Sequence, residues 1–186
     1  MAARRRLFLA AAAIVAIAAW LPYWGFLMSA PQYPDESLTL LVSHRGIAGD
    51  VQEVETLQQY IGVRFPEHLP ELEWLPPTMM ALAALLAIGA FAGAGLAGRL
   101  LRWAGVGVFV VLLLASAATV QRRLWDVGHV RDRHAPITAV KDFTPRLFGP
   151  TKVGNFTVWS FPHVGGIALV AAMTLAIAGA RKKALV

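Results

Sequence analysis

Apolar residues along this chain gather into four long runs, at positions 7–28, 78–97, 103–120 and 164–180, separated by two segments of mixed character. Crossing the roughly 30 Å hydrocarbon core of a bilayer takes about 20 apolar residues as α-helix, so the pattern predicts four transmembrane helices. Pro76 and Pro77 suit the start of the second run. Only Gly98-Arg99-Leu100-Leu101-Arg102 separates it from the third, which predicts a tight antiparallel hairpin. The first run follows Arg4-Arg5-Arg6 in the manner of a signal peptide, but it exceeds a signal core of roughly 7–15 residues. Met28-Ser29-Ala30 is also a poor small-x-small cleavage site, so the run reads as an anchor.

The mixed segments, 29–77 and 121–163, carry their own patterns. Ser37-Leu38-Thr39-Leu40-Leu41-Val42 has strand composition, and Gly46 and Gly49 break the chain after it. Asp50 with Glu53 three residues on gives an Asp version of the capping box. Val51, Val54, Leu57 and Ile61 then form an apolar helical stripe that Gly62 ends. Its polar face is acidic, which favours packing on a protein surface over anionic lipid. From Phe65-Pro66 to Pro77 the chain reads as a Pro-rich return to the membrane. The segment 121–163 is punctuated by Pro136, Pro145, Pro150 and Pro162, yet Phe143, Leu147, Phe148, Phe156 and Trp159 make it too apolar for a floppy linker. The expected fold class is therefore an all-α membrane protein. Residues 1–28, 78–120 and 164–186 supply four transmembrane helices, and two outer segments hold a short strand, one amphipathic helix and a long Pro-rich loop.

Charge placement orients this arrangement. Arg4-Arg5-Arg6, Arg99 with Arg102, and Arg181-Lys182-Lys183 hold eight basic residues and no acid. This is the positive-inside pattern three times over, placing both termini in the cytoplasm of a bacterial inner membrane. Trp20, Trp24, Trp74, Trp125 and Trp159 fall toward the opposite interface as an aromatic belt. Of the outer segments, the first carries two arginines against eight acids and the second seven basic residues against three acids. Opposite sign suggests that they dock on each other; separate solvated loops are the alternative. The basic pI near 10.3 does not indicate nucleic acid, because the outer basic segment has an acidic neighbour and faces away from the cytoplasm. Hydrophobic residues at 57% and charged residues at 15% fit a membrane chain better than a soluble one.

Candidate chemistry is sparse. With no cysteine, disulfides, thiolate metal sites and cysteine nucleophiles are excluded. All five histidines lie in the outer segments, and His44, His129, His134 and His163 are the candidate metal ligands. Imidazole, with the thioethers of Met28, Met79 and Met80 at the interface, suits copper. Against this, the five-residue spacing of His129 and His134 is not helical, and Arg131 and Arg133 beside them repel a cation. Ser43-His44, Ser160 and the scattered acids form no nucleophile–base set, so catalysis is not expected. No Asp, Glu, His, Lys or Arg falls inside any of the four runs, which argues against an ion path or a haem held within the bilayer. Gly89-x-x-x-Gly93, Gly95, Gly98, Gly105, Gly107, Gly165, Gly166 and Gly179 allow close helix approach.

Phrases in the outer segments are shared with a known group of proteins: Pro31-Gln32-Tyr33-Pro34, Gly49-Asp50-Val51, Leu57-Gln58-Gln59-Tyr60-Ile61-Gly62-Val63, Pro70-Glu71-Leu72, Gly128-His129, His134-Ala135-Pro136-Ile137 and Gly154-Asn155-Phe156. Together they resemble small bacterial membrane proteins that accompany accessory genes for copper enzymes, nitrous-oxide reductase in particular. The resemblance implies copper handling. It also places a histidine before the Tyr-Ile-Gly phrase, where this chain has Gln59.

The expectation is thus a non-catalytic accessory subunit of a larger energy-converting membrane complex, respiratory or photosynthetic. Its partners would be other integral subunits, with lipid or pigment along the helices. The alternative is a periplasmic-facing copper-handling or maturation factor for a redox enzyme.

Overall fold

In the computed structural model, residues 2–30, 33–61, 69–130 and 142–182 are described. Helix α1 (Ala2–Ala18) leads after a short turn into strand β1 (Trp24–Ala30), followed by β2 (Tyr33–Ser43), β3 (Gly46–Gly49) and helix α2 (Val51–Ile61). Next come a short helix α3 (Pro70–Glu73), α4 (Leu75–Phe91) and the long α5 (Leu96–His129). Strands β4 (Gly149–Val153) and β5 (Phe156–Pro162) precede the last helix, α6 (Val164–Arg181).

The protein is therefore mixed α/β and not the all-α protein expected. Its outer layer is a five-stranded antiparallel sheet of order β3-β2-β1-β5-β4. The first apolar run is where the expectation fails: it is helical only to Ala18, and its second half is β1. Trp24-Gly-Phe-Leu-Met-Ser-Ala carries apolar side chains toward both faces of the sheet, Phe26 and Met28 toward one and Leu27 toward the other, so composition does not separate it from the helix before it. Three stretches, Pro70–Phe91, Leu96–His129 and Val164–Arg181, are long and apolar enough to cross a membrane, which marks a membrane protein. The strand at 37–42, the helix from Val51 and the last helix stand where the pattern put them. The Pro-rich return contains α3, while Gly62, Phe65, Pro66, His68 and His134 lie outside the described residues.

The second and third runs meet elsewhere than expected. The turn between them is Ala92–Gly95, where Ala92 adopts an extended conformation, and Gly98–Arg102 already belongs to α5. Gly93 thus serves the turn and not a helix-packing motif, whereas Gly89 does pack, against Phe8 and Arg102. Relocating the turn draws Arg102 into the second turn of α5. There it is 3% exposed, and Nη1 donates to the carbonyls of Ala92 (3.0 Å) and Gly93 (3.2 Å). A cation on unsatisfied C-terminal carbonyls is favourable. Arg4, like Arg102 just outside an apolar run, is buried at the same end.

One core unites α1, α4, α5 and α6, with Phe8, Val15, Leu86 and Phe109 almost wholly buried. Helix α1 is antiparallel to α6. Gly165, at the start of α6, lies against the carbonyls of Leu21 and Pro22, and Gly179, near its end, lies against the Phe8 ring. The described ends of the chain thus share one end of the bundle. At the other end the two helices continue into β1 and β5, the central pair of the sheet. His163 N donates to the Tyr23 carbonyl (3.0 Å) and Tyr23 N to that of Val42 (2.8 Å), so the ladder reaches the mouth of the bundle. At 1.5 Å per residue the 34-residue α5 is about 51 Å long. It outruns a hydrocarbon core of roughly 30 Å and carries Gln121–His129 up beside the sheet.

Candidate functional site

Strand residues alternate between faces, and the register sorts this sheet into two unlike surfaces. On one face lie Trp24, Phe26 and Met28 of β1, Leu38, Leu40 and Val42 of β2, and Val158 and Ser160 of β5. Helix α2 covers its outer part through Val54, which packs with Met28 and Leu40. Asp50 stands at the entrance to α2. Its Oδ2 accepts the Thr39 amide (2.7 Å), and its own amide donates to the Thr39 carbonyl (3.0 Å), so the predicted capping residue also bolts the helix to β2.

The inner part of this face meets the outer end of α5. A cavity of about 100 Å³ lies there, walled by Trp24, Phe26 and Val42 from the sheet, Leu72 from α3, and Val120, Leu124 and Val127 from α5. At its rim Arg123 makes a two-pronged contact with Glu71: Nε to Oε1 at 2.7 Å and Nη2 to Oε2 at 3.1 Å. This pair joins the acidic outer segment to the basic one, and the sheet joins them again, because β2 of the first and β5 of the second flank the same strand β1. The two segments form one layer.

Residues 142–148 strap the same face. Phe143 N donates to the Gly128 carbonyl (3.4 Å), and Gln121 Nε2 to the Pro145 carbonyl (3.4 Å). The Trp24 indole donates to Ser160 Oγ (2.8 Å), which donates to the Leu147 carbonyl (2.9 Å), while Phe148 meets Trp24 edge-on.

The opposite face is different. Its rows, outward from the bundle, are Leu41–Gly25–Phe161, Thr39–Leu27–Trp159 and Ser37–Ser29–Thr157. It grades from apolar beside the bundle to polar farther out. The Phe161 ring lies over Gly25, where a Cβ would stand 2.8 Å from it. Trp159 remains 48% exposed.

Of the predicted ligands, His44, His129 and His163 lie among the described residues. His44 sits on the β2–β3 turn, edge-on to Trp20, and His163 caps the start of α6. Backbone bonds from Tyr23 to both strands set them on either side of that residue, each with Nδ1 buried and without a hydrogen-bond partner. His129 is the last residue of α5, stacked on Trp125 with Nδ1 against its carbonyl at 2.9 Å. Among the described residues no three His, Cys, Asp or Glu side chains gather as a metal site.

Between those histidines Tyr23 is buried, its hydroxyl donating to the Ala19 carbonyl (2.6 Å), and burial pushes its pKa up to about 12. The folded protein keeps this proton over a range in which the unfolded chain, at 10.0, releases it. Its contribution to stability is therefore complete below pH 10 and is lost as pH rises toward 12. Absorbance titration should show one of the three tyrosines ionising near pH 12, and that step should vanish in Tyr23→Phe.

The sequence gave no sign that Trp24 and Ser160 pair, which depends on the β1–β5 register. The signal it did offer for β4 and β5 was Gly154-Asn155, a two-residue turn between strand-like stretches with Gly154 at φ +60°. Comparisons with protein-family models, curated proteins and solved structures find no match to this chain.

Proposed function

We propose that this protein is a non-catalytic accessory subunit of a larger membrane complex, holding a neighbouring subunit against the open face of its sheet. The observation that carries this reading is the graded surface of Leu41, Leu27, Phe161 and Trp159. It is apolar nearest the bundle and polar beyond, and Trp159 stands half exposed on it. An integral partner whose helix ends in a small outer domain would match that gradient. A sheet with one face packed on its own core commonly leaves the other to water, but a solvated face has no need of Leu27, Leu41, Phe161 and a half-exposed Trp159 side by side.

The membrane proposed is the bacterial inner membrane, with the basic end of the bundle and both termini in the cytoplasm. The support is the distribution of charge. The basic end holds Arg4, Arg5, Arg6, Arg99, Arg102, Arg181 and Lys182, and none of the eleven acids falls in the sequence that builds it. The sheet then faces the periplasm.

Extraction of native membranes in mild detergent, followed by native electrophoresis and mass spectrometry, tests the proposal. The chain should migrate in an assembly much larger than its 20.1 kDa, with a stoichiometric integral partner. Trp159→Asp should release it. Migration as a lone chain from intact membranes would overturn the reading.

A further inference from the structure

The basic end carries an inference of its own. No Asp or Glu occurs before residue 35, between 74 and 125, or after 142, so the sequence that builds this end of the bundle is without acid. Two of its arginines are nonetheless drawn inward. Arg102 is 3% exposed and Arg4 8% exposed. Phe8, one helical turn from Arg4 on the same face of α1, packs over Gly89 together with the Arg102 side chain; both come within 3.5 Å of the place a Gly89 Cβ would take. The Arg102 side chain and the turn of α1 that carries Arg4 thus meet between α1, α4 and α5. Arg102 is partly satisfied by the Ala92 and Gly93 carbonyls, while Arg4 has no hydrogen-bond or ion-pair partner among the described residues. Desolvating two like charges side by side is unfavourable unless an anion joins them.

Beside this spot lies an apolar groove on the membrane-facing surface, formed by Ala87, Ile88, Phe91 and Ala92 of α4 and its turn with Leu101 of α5. Ile88 and Phe91 are largely exposed along it. Arg5 closes its end, with the guanidinium carbon 4.0 Å above the Phe91 ring. The groove and the charges share residues: Phe91 lies under Arg5, and the Ala92 carbonyl accepts from Arg102. A ligand that fits both parts has an anionic head at headgroup depth and a hydrocarbon tail running back along α4.

We propose that this end binds one acidic phospholipid, with its phosphate between Arg4, Arg5 and Arg102 and one acyl chain in the groove over Ile88 and Phe91. The inference concerns the opposite end of the molecule from the sheet and stands apart from the docking reading. Native mass spectrometry of the full chain in detergent, titrated with phosphatidylglycerol or phosphatidylcholine, tests it. One phosphatidylglycerol should be retained per chain and phosphatidylcholine should not. Arg4→Gln should weaken retention by about tenfold, as expected for loss of a charge-assisted contact. The exposed Arg5→Gln, which leaves the core untouched, should weaken it severalfold, and Ile88→Trp, which fills the groove, should do the same. Arg6→Gln, exposed on the same helix, should leave it unchanged. Equal retention of both lipids, equal losses in Arg4→Gln, Arg5→Gln and Arg6→Gln, or displacement of the lipid by millimolar inorganic phosphate would each overturn the proposal. The first two mean diffuse attraction, and the last a headgroup site without a seat for the chain.

Discussion

Replacing Phe8 by alanine is expected to destabilise the bundle by about 3–5 kcal/mol, the usual range for deleting a buried aromatic ring. Phe8 is wholly buried at the point where α1, α4 and α6 meet. Its ring lies against Gly179 of α6, where a Cβ would come within 2.8 Å, and reaches Gly89 of α4 at an ordinary 3.5 Å. These glycines hold the helices close because the ring occupies the room their missing side chains leave. Removal of the ring leaves a cavity that two glycine faces cannot fill. Denaturant titration in micelles, followed by tryptophan fluorescence, should show the loss. Ile17→Ala, 62% exposed on the same helix, should change stability by no more than about 0.5 kcal/mol. Equal effects of the two substitutions would mean that α1 is not part of the core.

Gly49→Ala is expected to cost about 2 kcal/mol or more and to act on the sheet alone. Gly49 has φ +111°, a conformation that L side chains rarely adopt, and a Cβ there would collide with the Thr39 carbonyl. That carbonyl and its amide are the two groups Asp50 engages to fasten α2 over Leu40 and Met28. Hydrogen exchange should therefore show lost protection in β2, β3 and α2 with the helical bundle unchanged. Gly93→Ala, in a turn with open space around it and an ordinary φ, is the control and should be nearly silent.

How much of this was legible follows from where the physics is local. Helix α6 and its ends could be read because 164–180 is an unbroken apolar run between a proline and a basic cluster. The strand before Ser43 and the helix from Val51 could be read from composition and period. Strand β1 could not, since Phe26 and Met28 face α2 while Leu27 faces the open side, and the alternation that marks a half-buried strand is missing. Ala92-Gly93-Ala94-Gly95 was hidden for a related reason: on a hydropathy scale it looks like the helices around it, and only the weak helix propensity of glycine marks the break. The cavity and the Arg123–Glu71 clasp depend on bringing α3 and the sheet against α5, and the two faces on pairing β1 with β5, 128 to 138 residues apart, about which local pattern is silent. The opposite charge of the outer segments was the one long-range hint, and it pointed to the contact that Glu71 and Arg123 make.

Photo-crosslinking in native membranes tests the central claim most directly. A crosslinking amino acid placed at Leu27 or Trp159, on the open face, should join the chain to a single integral membrane polypeptide. The same group at the exposed Lys152 or Ala48, at the edges of that face, should do so weakly, and at Ile17, on the bundle, it should label lipid or a helix of the same neighbour. Absence of any protein adduct from Leu27 and Trp159, with the chain folded and in the membrane, would contradict the account, because the open face would then be only a solvated surface.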